Sequence, residues 1–407
     1  IASDIGCPNT EDSNGRIGII VKPPPVLDPP EVLCLFFTSD DLVRLEWVAL
    51  TQTEYFKQMY LHKVWPDGRD EVIGTFSSAG ANTHLDKDVN NPRNNNYSYY
   101  LTVENICDNL GPKSYIISTQ KESGSPVKST YLKTVTVVGD SLKVIWNLSE
   151  EDDFLEYIVF KSERGKDNFL PYKFITEISD TVFYDQEVDV NNISYCYKVQ
   201  VTDNCGNLSK LSNQGCSIVI RGEAINKEEE TPRFKMDLNW GNYVDWQGGV
   251  QEYELLRSVD TGSLRPIVKV YSKYQNYRDD NLDFDWGGYW YSVIAHEGPG
   301  GLDATSRSND IYLIQPPLVF VPNAVTSNGD NLNDSFGWSD VFVREFEMRV
   351  YNRWGEKVFE STDKNATWTG EYKDNDLAYS NVYFWIVTYK GWDNYRHTAN
   401  GTVTILK

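Results

Sequence analysis

The sequence predicts an all-β chain built from tandem β-sandwiches. Three observations carry that reading. A Trp-ended strand followed by a Tyr-rich strand occurs three times in nearly the same register. The composition is aromatic-rich and poor in Met, with 12 Trp and 26 Tyr against 3 Met in 407 residues, which suits sheet cores better than helical ones. Turn residues punctuate short alternating runs throughout, as at Asp67-Gly68, Gly165-Lys-Asp167 and Asp260-Thr-Gly262.

The Trp strands are Leu42-Val-Arg-Leu-Glu-Trp47, Leu142-Lys-Val-Ile-Trp146 and Phe234-Lys-Met-Asp-Leu-Asn-Trp240. The Tyr strands are Tyr97-Ser-Tyr99-Tyr-Leu101-Thr-Val103, Tyr195-Cys-Tyr197-Lys-Val199-Gln-Val201 and Tyr289-Trp-Tyr291-Ser-Val293-Ile-Ala295. Trp47 and Tyr99 are 52 residues apart, while Trp146 and Tyr197, and Trp240 and Tyr291, are each 51 apart. Period-2 alternation turns one face of each Tyr strand to a core and the other to water. A Trp on one sheet packing against a Tyr strand on the facing sheet is the logic of a sandwich. Further strand signals lie between, such as Tyr157-Ile-Val-Phe160 and Tyr253-Glu-Leu-Leu256.

About 95 residues with roughly seven short strands and a buried Trp resemble a fibronectin type III or immunoglobulin-like domain. The fold class is therefore all-β, with tandem fibronectin type III-like sandwiches at 29–123, 124–222 and 223–317. Residues 1–28 read as the tail of a larger region. They carry Cys7, the Ile-rich run Ile17-Gly-Ile-Ile-Val21, and the start of a stiff Pro-rich spacer at Lys22-Pro-Pro-Pro25. The segment Asp203-Asn-Cys-Gly-Asn-Leu-Ser209 resembles fibronectin-like modules of large surface proteins of Bacteroidota, and Cys107 holds the equivalent place in the first repeat.

Residues 318–407 differ. They run through Pro322-Asn323, Thr326, Asn328-Gly329-Asp330, Asn333-Asp334, then Tyr351-Asn-Arg-Trp-Gly355, Trp368-Thr-Gly370 and Val382-Tyr-Phe-Trp385. In that order, at that end of the chain, they resemble the gliding-motility-associated C-terminal domain of Bacteroidota, the type B sorting domain of the type IX secretion system. Val325, Ser327, Asn331 and Asn381 depart from its pattern at turn positions. The resemblance implies a β-sandwich that directs export of a surface adhesin, gliding component or secreted hydrolase. It implies two partners, the type IX translocon and a PorP/SprF-like outer-membrane β-barrel protein. The protein is then secreted and associated with the cell surface at the outer membrane.

Composition narrows the remaining functions. A formal net charge of −21 repels nucleic acid, which is not an expected partner. No stretch of 18 apolar residues occurs, so no spanning helix is predicted. With four His, no G-x-S-x-G and no H-E-x-x-H, no catalytic residue is nominated and the chain is not expected to be an enzyme. Six Cys without a C-x-x-C pair point to disulfides. Cys196–Cys216 is one feasible link across neighbouring strands, and Cys205–Cys216 is another.

Two clusters remain as candidate sites. Asn328, Asp330, Asn333 and Asp334 form an oxygen-rich loop of the kind that holds calcium, although such loops also cap turns without metal. Calcium is accordingly the one cofactor considered. Arg353, Trp354 and Gly355 form a hairpin turn that either staples the hairpin or meets a partner. Two functional readings follow. In one, the chain is the stalk and anchor of an adhesin or gliding-type protein. In the other, it is the accessory and sorting tail of a secreted polysaccharide-degrading enzyme whose catalytic domain lies upstream. A sugar-binding role for exposed aromatics, with surface glycans as partners, is a third.

Overall fold

The structure is a computed structural model. It describes residues 24–30, 33–119, 127–151, 154–259, 262–326, 328–329, 332–372, 376–377 and 381–406. Cys7 and the run at 17–21 lie outside the described residues. Every regular element described is a strand.

The first repeat contains β1 (Leu33–Phe37), β2 (Val43–Trp47), β3 (Phe56–Val64), β4 (Asp70–Phe76), β5 (Thr83–Asp86), β6 (Ser98–Asn105) and β7 (Ile117–Ser118). One sheet is ordered β1-β2-β5 and the other β4-β3-β6-β7. The second repeat has β8 (Leu132–Val138), β9 (Ser141–Trp146), β10 (Phe154–Glu163), β11 (Leu170–Ile175), β12 (Val182–Asp185), β13 (Tyr195–Asp203) and β14 (Gly215–Cys216), in the same three-plus-four order. The third has β15 (Ile220–Asn226), β16 (Phe234–Trp240), β17 (Val250–Val259), β18 (Arg265–Tyr271), β19 (Asn276–Asp279), β20 (Gly288–Glu297), β21 (Thr305–Arg307) and β22 (Ile311–Ile314), with β21 and β22 both on β20. These are fibronectin type III-like sandwiches.

The C-terminal sandwich adds β23 (Leu318–Phe320), β24 (Ala324–Thr326), β25 (Ser339–Val341), β26 (Glu345–Tyr351), β27 (Lys357–Ser361), β28 (Glu371–Tyr372), β29 (Asp376–Leu377), β30 (Asn381–Lys390) and β31 (Arg396–Leu406). Its main sheet is β24-β31-β30-β26-β27, with β24 parallel to β31.

Each unit has its own core, because alternation buries one face of each strand. Leu45 and Trp47 face Met59, Leu61, Tyr99 and Leu101 in the first. Leu27 is 2% exposed in that core, so the first sandwich draws on residues upstream of 29. The Trp residues do lie on the sheet opposite the Tyr strands. Their ring partners, however, are Phe76, Tyr157 and Tyr253 on other strands of that facing sheet, β4, β10 and β17, at centroid distances of 5.2, 5.5 and 5.6 Å. The first Tyr of each Tyr strand ties its own corner. Tyr97 bonds the backbone at Asn90, Tyr195 accepts from Asp189 N–H, and Tyr289 donates to Asp283 C=O. The strands after each Tyr strand are short, because Ser hydroxyls accept its N–H groups instead. Ser114 serves Leu101, Ser212 serves Val199 and Ser308 serves Val293.

The second and third sandwiches interlock. Tyr243 of the third enters the second beside Gly215, where an added Cβ would stand 3.0 Å from its hydroxyl. That hydroxyl accepts from Val135 N–H at 3.0 Å, and Trp246 Nε1 donates to Lys133 C=O at 2.7 Å. The third and C-terminal units share an aromatic joint. Phe342 lies 5.0 Å from Phe234 and 5.7 Å from Phe284, and Trp286 lies 5.6 Å from Trp392.

Cys196 and Cys216 are paired in register across β13 and β14 and are disulfide-bonded. Cys205, the competing partner for Cys216, is bonded instead to Cys34 of the first sandwich.

Candidate functional site

The Tyr-Asn-Arg-Trp-Gly element folds as the turn between β26 and β27. Phe346, Met348 and Val350 alternate into the core and end the strand at Tyr351. Asn352 then organises the turn. Its Oδ1 accepts the N–H groups of Trp354 and Glu356 at 2.9 and 3.0 Å, while its own N–H donates to Glu356 C=O. Gly355 sits at φ +79°, a conformation that L side chains rarely adopt. This geometry turns the Trp354 indole outward, and the residue is 84% exposed. Arg353 does something else. Its guanidinium donates to Asn381 Oδ1 at the start of β30 and so ties the turn to the sheet. Of the three residues singled out in the sequence, Gly355 shapes the turn, Arg353 braces it, and Trp354 is presented to solvent.

The outer face of β30 continues this apolar surface. Val382, Phe384 and Ile386 are 42, 53 and 39% exposed, while Tyr383 and Val387 point into the core against Trp368 and its neighbours. Phe384 lies opposite Tyr351 in register. These exposed apolar side chains lie on one face of β30, beside the strand that leads into the turn.

In the oxygen-rich loop, the described groups bond within the turn. Asp334 Oδ1 accepts the N–H groups of Asn328 and Gly329 at 3.0 and 2.7 Å, and Asn333 C=O accepts Thr326 N–H. Asn333 itself holds φ +55°. The carboxylate therefore caps the turn. Asp330 lies outside the described residues. Among the described residues, no three His, Cys, Asp or Glu side chains are arranged to hold a metal.

One constellation escaped the sequence reading. In every repeat a buried Asp at the end of a strand on the three-stranded sheet meets a Tyr and a cation from the facing sheet. Asp86 accepts from Tyr99 at 2.9 Å and pairs with Lys63 at 2.8 Å. Asp185 meets Tyr197 at 2.5 Å and Lys161 at 2.6 Å. Asp279 meets Tyr291 at 2.7 Å and Arg257 at 2.8 Å. The signal was present, since each Asp follows its Trp by 39 residues. Burial opposes ionisation of Asp185, but hydrogen bonds from Lys161, Tyr197, Tyr172 and the Glu187 N–H outweigh it, and its carboxyl sits below the usual range. Burial and the adjacent carboxylate push the Tyr99, Tyr197 and Tyr291 phenols well above theirs. These triads clasp the two sheets; their polar atoms are committed to one another inside the core.

Residues 319–405 match the CHU_C type IX secretion signal domain family. No curated protein matches the chain. Among solved structures, the FN1–FN3 domains of chicken CNTN1 are similar at 14% identity and a TM-score of 0.21, covering 70% of this chain and 98% of that one. A tetra-tandem repeat from the extending region of a large adhesion protein is similar at 10% identity and a TM-score of 0.23, covering 89% of this chain and 95% of that one. The type IX signal implies handling by the type IX secretion machinery and a location at the cell surface or outside the cell.

Proposed function

We propose that the chain is the C-terminal part of a cell-surface adhesin or gliding-type protein of Bacteroidota. The three repeats form a stalk. The C-terminal sandwich carries the export signal and docks on an outer-membrane β-barrel partner of the PorP/SprF-like kind. The observation that carries the docking step is the exposed Trp354, held out by an Asn352–Gly355 turn on the domain that matches a secretion signal. A large, rigid, desolvatable aromatic is the type of residue that anchors an interface. The stalk reading is supported by the interlocked second and third sandwiches, which resist bending at their joint. We further propose that these residues perform no catalysis. The repeated carboxylates are committed to buried ion pairs, which supports that view.

The test is export in a type IX-competent host. Supplied with a periplasmic leader, the intact chain is expected at the cell surface, and a chain ending at Pro317 is expected to stay in the periplasm. Surface display of both would overturn the export role of residues 318–407.

A further inference from the structure

We propose that the Cys34–Cys205 disulfide removes most of the first two sandwiches from the mechanical load path of the stalk. Cys34 lies on β1, the edge strand of the first sandwich. Cys205 lies in the turn that follows β13 of the second, 171 positions away in sequence. Tension applied upstream of Cys34 and drawn from the C-terminus therefore crosses at the sulfur atoms. Residues 35–204, which include β2 to β13, form a closed loop beside that path. Until the bridge is broken, residues in such a loop add nothing to the end-to-end reach, because the covalent bridge is the shorter connection.

The placement of Cys205 is built in. Asp203 Oδ1 accepts the N–H groups of Cys205 and Asn207 at 2.9 and 2.7 Å and fixes the turn that presents the thiol. The site it reaches is one the repeats use again. Cys34 directly follows the residue paired with Trp47, and Lys133 directly follows the residue paired with Trp146. Lys133 is where the third sandwich docks on the second, through Trp246. The second junction adds the Tyr243 plug, but at the first junction Ser149 stands three residues after the Trp where Tyr243 stands in the third repeat. One docking position thus serves both junctions, locked covalently at the first and by aromatic packing at the second.

Single-molecule extension of the whole chain, pulled from its two ends, tests this directly. In the oxidised protein, unfolding steps are expected from the third and C-terminal sandwiches without a full-length step from the first two. Reduction is expected to add about 560–620 Å of contour length, the reach of 171 residues at roughly 3.3–3.6 Å each. The double variant Cys34→Ser/Cys205→Ser, kept oxidised, should regain an unfolding step for the second sandwich. A non-reducing peptide map gives an independent reading and should link the Cys34 and Cys205 peptides. Full contour length in the oxidised protein, or no gain on reduction, would overturn the proposal, as would a map that pairs these cysteines elsewhere.

Discussion

The repeats and the C-terminal sandwich solve the same packing problem with opposite choices about polarity. Each repeat buries a carboxylate, with Asp86, Asp185 and Asp279 all under 5% exposed, and pairs it with a cation that is fully buried in the first repeat and partly exposed in the other two. Among the described residues of the C-terminal sandwich no charged side chain is buried. Its core is a mixed aliphatic and aromatic set around Phe336, Trp368 and Met348, and Trp354 and one face of β30 stand exposed. Buried ion pairs tend to fix which strands face each other rather than add net stability. Under the proposed function, that fixed register suits a stalk, and the exposed Trp354 suits docking.

The comparison can be broken at several points. The largest effect is expected from Asp185→Ala, which leaves Lys161 uncompensated at the core boundary and should destabilise the second sandwich by about 3–5 kcal/mol in denaturant unfolding. Tyr197→Phe keeps the ring and removes one donor to Asp185; a loss of about 1–2 kcal/mol is expected. Gly355→Ala strains the +79° turn by about 1–2 kcal/mol and should loosen the hairpin that presents Trp354. Smallest is Trp354→Ala, whose effect on stability should stay within about 0.5 kcal/mol while partner binding falls.

Acid sharpens the contrast. The Asp185 carboxyl is depressed in the folded state, so its stabilisation is complete above the unfolded value near 3.9 and is lost as pH falls through the lower folded value. Below about pH 4 the second sandwich should weaken before the C-terminal one, which buries no carboxylate among its described residues. Following a near-ultraviolet signal for each unit through an acid titration would check this; simultaneous loss of both would contradict it.

How much of this was legible in the sequence follows from what each feature depends on. The Trp and Tyr strands are local alternations, and β2, β6, β9, β13, β16 and β20 fall on them. The Asn352–Gly355 turn was legible for the same reason, since turn chemistry is local. The triads were missed although their spacing is constant. An Asp at a strand end reads as a solvated turn residue until the facing strand supplies its cation. Trp–Tyr contact was expected directly, yet the Tyr hydroxyls point to those carboxylates and the Trp rings meet other strands. The Cys34–Cys205 bridge had no local signal at all, because it depends on how one sandwich docks on another. The brace from Arg353 to Asn381 likewise had no local signal, because Asn381 lies 28 positions away on another strand.

In the proposed function the C-terminal sandwich docks on the outer membrane while the repeats act as its stalk. The most direct measurement is co-purification from the outer membrane of a type IX-competent host, comparing the intact chain with its Trp354→Ala variant and with a chain ending at Pro317. A β-barrel partner recovered with the intact chain, reduced by Trp354→Ala and lost on truncation is the predicted result. Equal recovery of the same partners by all three would place binding in the repeats and contradict the account.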